Sequence, residues 1–86
     1  MGNEYIQYPS TVKTLAEELV KACDDYNARK INNDRIKEII LWYASSQSDK
    51  LFAAEQINPT VKKIIGKKRV RLVNDLLREA NSTEGL

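Results

Sequence analysis

Apolar residues recur along most of this chain at steps of three and four. From about Thr11 to Arg29 the stripe is Val12, Leu15, Leu19, Ala22, Cys23 and Tyr26, with Glu17, Glu18, Lys21, Asp24 and Asp25 mostly off it. One apolar and one charged face at helical spacing predict an amphipathic helix. Ser10 or Thr11 offers the oxygen that caps such a helix, and Pro9 biases Tyr8 away from it. Residues 1–9 carry Tyr5, Ile6 and Tyr8 without helical spacing and read as an extended arm.

The stretch "RKINNDRIKEIILWYASSQ" predicts a second helix. Asn32 is its N-cap, Ile31 and Ile36 occupy the two positions of a hydrophobic staple, and Asp34 suits the positive first turn. Ile36, Ile39, Ile40, Tyr43 and Ala44 point inward, while Leu41 and Trp42 fall beside that stripe. "SSQSDK" reads as a polar loop or frayed helix end, and "LFAAEQI" fits a helical turn and an extended segment equally. Asn58-Pro59-Thr60 restarts a helix, with a capping Asn and Pro at the first helical position. Val61, Ile64 and Ile65 form a short apolar helix that Gly66 ends. A last helix runs from about Lys67 to Ala80 with Val70, Val73, Leu76 and Leu77 inward, and 81–86 read as a mobile polar tail. The expectation is all-α: a bundle of three main helices and one short one in a single domain, with its core over residues 10–80.

Composition narrows the function more than the fold. The chain has 86 residues, three glycines and two prolines, too few turn residues for a sandwich or barrel. A single cysteine excludes an internal disulfide and fits a reducing, intracellular setting, so a cytoplasmic protein is expected. Cys23 lies on the inward stripe and reads as a small buried hydrophobe. There is no apolar run of membrane-spanning length, no signal-peptide layout, and Ile6 stands where myristoylation wants Ser or Thr. Histidine is absent, which removes the commonest general base and the usual zinc ligands. No metal, no cofactor and no catalytic activity are expected. The adjacent carboxylates Glu17-Glu18 and Asp24-Asp25 sit on an otherwise plain helix.

The chemistry concentrates in "KKIIGKKRVRLV". Six of the fourteen Lys and Arg residues lie between positions 62 and 71. If Gly66 breaks the chain, Lys67, Lys68 and Arg69 form the first turn of the last helix. Cations there oppose the helix dipole unless an anion joins them; with one, free N–H groups and ammonium groups converge on a phosphate. The candidate phosphate ligands are Gly66, Lys67, Lys68 and Arg69, with Lys63 and Arg71 beside them. The alternative is a solvated helix face. Tyr5, Tyr8, Trp42 and Tyr43 are the aromatics available to stack on a base. A net charge of +2 and a pI near 8.7 are low for a duplex binder and fit a local patch for a small anion.

Two resemblances bear on this stretch. "IIGKKRV" resembles the second half of a helix-hairpin-helix, a module that grips DNA phosphates, although Ile64 stands where its first glycine belongs. The runs "YPSTVKTLA" and "NPTVKKIIGKKR" resemble a group of short uncharacterised proteins of Firmicutes and their phages. Some small helical phage proteins of that kind oligomerise and sequester cyclic nucleotide signals of bacterial defence systems such as CBASS. The resemblance implies a non-catalytic cyclic-dinucleotide sponge with Lys67, Lys68 and Arg69 as phosphate contacts. The lead expectation is therefore binding of a phosphorylated nucleotide by a homo-oligomer, a dimer or tetramer. The alternatives are a nucleic-acid-binding module and a helical protein–protein adaptor.

Overall fold

The computed structural model describes residues 5–54 and 56–84. It is mostly helical, 73% helix, with a very small hairpin. The elements are α1 (Val12–Asn27), α2 (Asn33–Ser46), α3 (Ser48–Leu51), β1 (Phe52–Ala53), β2 (Gln56–Ile57), α4 (Pro59–Ile65) and α5 (Lys67–Glu84).

Side-chain oxygens close the helix starts that the sequence marks. Thr11 Oγ1 accepts from Thr14 N at 3.0 Å, Asn32 Oδ1 from Arg35 N at 2.8 Å, and Asn58 Oδ1 from Thr60 N at 2.8 Å. α1 stops two residues before the expected Arg29. Arg29 N donates to Tyr26 O and Lys30 N to Asp25 O, the paired bonds of a Schellman end. Arg29 takes the left-handed position at φ 63°, where Gly is usual.

The core is the inner stripe of every helix. Leu15, Ala16, Leu19, Ala22 and Cys23 of α1 meet Ile36, Ile39, Ile40 and Tyr43 of α2, Val61 and Ile65 of α4, and Val73 and Leu76 of α5. α1 packs mainly on α4, and α2 on α5. The Cα radius of gyration is 12.1 Å, against about 12 Å for a close-packed chain of this length.

The structure decides or changes four expectations. "SSQSDK" ends in a one-turn helix, α3, which runs on to the fully buried Leu51. "LFAAEQI" is a hairpin pairing Phe52 with Ile57 and Ala53 with Gln56. Of the four strand residues Phe52 and Ile57 pack inward while Ala53 and Gln56 are exposed, the alternation of a strand. The expected inward Ile64 is 37% exposed, because α4 is two turns long and seats only Val61 and Ile65, four apart, against α1. The tail expected from residue 81 is helical through Glu84; residues 85 and 86, and residues 1–4 of the arm, lie outside the described residues.

Candidate functional site

α4 and α5 share one residue as their joint. Gly66 N donates to Lys62 O at 2.9 Å, closing α4, and Gly66 O accepts from Val70 N at 3.0 Å, opening α5. Its backbone, φ 86° and ψ 163°, lies in a region open almost only to glycine. Because Gly66 brings no side chain, it cannot cap the first-turn amides of Lys67, Lys68 and Arg69.

The cations of this junction divide into two groups. Arg69 turns back to the protein. Its Nε and Nη2 both donate to Asp24 Oδ1, at 3.1 and 2.8 Å, and its Nη1 donates to Ile65 O at 2.9 Å. It thereby ties α5 to α1 and satisfies a carbonyl at the end of α4. The guanidinium is committed to this clamp and is not free to fork onto a ligand. Lys62, half-buried, places Nζ 3.4 Å from Gln56 Oε1. Lys63, Lys67, Lys68 and Arg71 are exposed and have no ion-pair partner among the described residues.

An open groove of about 320 Å³ runs beside the junction, lined by Lys62, Lys67, Val70, Arg71 and Asn74. Lys67, Arg71 and Asn74 sit at i, i+4 and i+7, one face of α5. The structure thus gathers Lys67 and Arg71 from the expected set and adds Lys62 and Asn74. Lys63 and Lys68 lie outside that lining. The helical spacing of Asn74 from Arg71 was a readable signal. The partnership of Arg69 with Asp24, 45 residues away, had none.

The four aromatic candidates form a separate cluster where the arm crosses α2. Tyr5 is buried, and its hydroxyl donates to Asp25 Oδ2 at 2.6 Å. The Tyr43 hydroxyl donates to Ile6 O, and Trp42 Nε1 donates to Gln7 O at 2.9 Å. Tyr8 meets Trp42 edge-on with ring centres 5.6 Å apart. Burial pushes the Tyr43 phenol up to about 12, with Glu18 adding to the shift. A cleft of about 190 Å³ opens here, lined by Tyr5, Gln7, Arg35, Glu38, Ile39, Trp42 and Tyr43. Arg35 and Glu38 at its edge pair with each other at 2.7 Å. It shares no residue with the basic groove, so the expected stacking and phosphate residues do not line one pocket.

Cys23 is fully buried, and that burial pushes its thiol up to about 11 against a smaller opposing pull from Arg69. It is a packing residue, not a nucleophile. Among the described residues no group of three or more His, Cys, Asp or Glu side chains converges on a metal-sized site, and no helix is long and apolar enough to cross a membrane.

No curated protein and no solved structure matches the chain. A family model described as a conserved hypothetical protein matches residues 6–78, from the arm through the inner stripe of α5. That span covers well over half of the chain, which therefore belongs to this conserved hypothetical protein family, CLB_0814_fam.

Proposed function

We propose that this protein binds phosphate-bearing nucleotides without transforming them, on the α4–α5 face. The observation that carries the reading is the set of unpaired cations at an uncapped helix start. Lys67 and Arg71 flank one groove with Lys62, beside the first turn of α5, which holds no acidic residue and which Gly66 has no side chain to cap. Like charges held together at the positive end of a helix raise the free protein's energy, and a phosphate relieves that repulsion. Lys63 and Lys68 extend the positive field around the groove. Asn74 offers a neutral donor and acceptor for a ribose or base edge. Arg69, engaged with Asp24 and Ile65 O, braces the junction, and in this reading Lys67 and Arg71 make the ligand contacts. The resemblance to small phage proteins points the same reading toward cyclic dinucleotides and sequestration.

Calorimetry with cyclic di-AMP, cyclic di-GMP and a short DNA duplex, each at low and high salt, tests this. One cyclic dinucleotide is expected to bind, with a shallow salt dependence. Replacing both Lys67 and Arg71 by Ala should weaken it by tenfold or more, since charge-assisted hydrogen bonds contribute about 1.5–3 kcal/mol each. The variant should melt like the parent, because both side chains are exposed. Arg69→Ala should lower the melting temperature instead. The single-residue joint between α4 and α5 favours one second reading, a helix-hairpin-helix-like grip on nucleic acid. Binding of the duplex alone, with a steep salt slope, would establish that reading in place of the first. No binding of any of these ligands would remove both.

A further inference from the structure

We propose that the outer face of α2, together with the arm that crosses it, is a two-fold interface between two copies of this chain. Ile6, Tyr8, Leu41 and Trp42 are 48%, 66%, 40% and 38% exposed. The edge-on contact of Tyr8 with Trp42 joins the arm and helix portions into one patch. With a large aromatic covering about 150–250 Å² when buried, these four leave on the order of 400 Å² of largely apolar surface uncovered. Patches of roughly 300–600 Å² are the largest that ordinary monomers show and are often interaction sites. A standard interface buries about 800 Å² per partner, an apolar centre within a polar rim, so a patch of this size suits the centre of one.

The charges around the patch select the occupant. The charged residues of this face and its edge are Asp34, Arg35, Lys37 and Glu38, two acids and two bases, with Arg35 paired to Glu38 and Lys37 to Glu79. Such a rim is neutral and meets its own copy without net repulsion. It offers no attraction to a partner of strongly single sign. The opposite holds at Lys63, Lys67, Lys68 and Arg71, where a second copy would be repelled. A shallow depression along α2, about 480 Å³ and bounded by Asp34, Leu41, Trp42 and Ser45 among others, gives an approaching helix a seat. In a two-fold contact each side chain near the axis meets its own equivalent, and Leu41, exposed and lining this depression, is the aliphatic side chain of α2 placed to do so. The inference is independent of the phosphate-site reading, and the pairing it describes leaves both basic grooves outside the interface.

Sedimentation equilibrium of the full chain up to about 500 µM, where even a Kd of tens of micromolar gives mostly dimer, is expected to approach twice 9.8 kDa. Leu41→Glu should weaken association by at least tenfold, because it places an unpaired carboxylate at the apolar centre. Leu41→Cys should form an intermolecular disulfide on mild oxidation, since Cys23 is fully buried and does not compete. Lys68→Cys, on the basic side, should not. The cross-link decides the matter even if Leu41→Glu disturbs the fold. A parent protein that stays monomeric throughout, or a dimer that survives Leu41→Glu and gives no cross-link at position 41, overturns the proposal.

Discussion

Replacing Gly66 with Ala isolates the strain held at the joint between α4 and α5. An added Cβ at this position meets nothing within 4 Å, so no clash contributes to its cost. The cost comes from the backbone alone. At φ 86° and ψ 163° an L-residue is held where only glycine rests easily, a penalty of about 1–3 kcal/mol. Alanine also narrows the unfolded ensemble, which returns about 0.4–1 kcal/mol. The expected net loss is about 1–2 kcal/mol, and for a chain of this size each kcal/mol lowers Tm by about 4–8 °C. Urea unfolding followed by the single tryptophan, with thermal melts by circular dichroism, measures it. Gly66→Ser should cost no more than Gly66→Ala, and less by up to about 1 kcal/mol where its hydroxyl caps a first-turn amide of α5, because neither side chain meets a clash. A Gly66→Ala protein as stable as the parent would refute the argument. A gain in helical signal at unchanged stability would show that α4 and α5 can fuse into one helix. Gly66→Ser costing far more than Gly66→Ala would mean that contacts, not φ, set the penalty.

At the end of α1 the same logic runs in reverse. Arg29 is held at φ 63° by the Schellman bonds, so Arg29→Gly should raise stability by about 0.5–1 kcal/mol, seen as a higher Tm, and an unchanged or lower Tm would contradict the reading. Alkali should destabilise the protein through Cys23 and Tyr43. Both hold their protons in the folded state, to about 11 and about 12, where the unfolded chain has already lost them. The stability they contribute is therefore present below about pH 9 and is lost as pH rises through their folded values. Urea midpoints should fall steadily between about pH 9 and 11, and a flat profile would argue against burial of these groups.

The legible parts of this fold are those decided within a few residues. Asn32 with its staple, Thr11, Asn58-Pro59 and Gly66 each act on neighbours three or four positions away, and each stands where the sequence places it. The inner stripes were legible for the same reason, since helical period and burial are one observation. Legibility ended where short segments meet distant partners. Ile64 reads as core by its apolar chemistry, yet a two-turn helix seats only two rows against α1. Nothing near Arg29 announces a left-handed residue, because Asn and Gly are the usual signals and it is neither. Within the candidate site the concentration of charge was plain, but not its division. Only the pairing with Asp24 separates Arg69, which braces the junction, from Lys67 and Arg71, which face the groove.

The arm's anchors impose an order of events on synthesis. Ile6 O waits for the hydroxyl of Tyr43, 37 positions later, and Gln7 O for the indole of Trp42, 35 positions later. At about 5–20 residues added per second, the arm spends roughly 2–7 s after its own synthesis before these partners exist. Its docking closes loops of 37 and 35 residues and needs α2 as its platform, so it cannot precede the formation of that helix. The chain carries a single tryptophan, and that residue holds the arm, so one native fluorophore reports the moment at which the arm is fastened to α2.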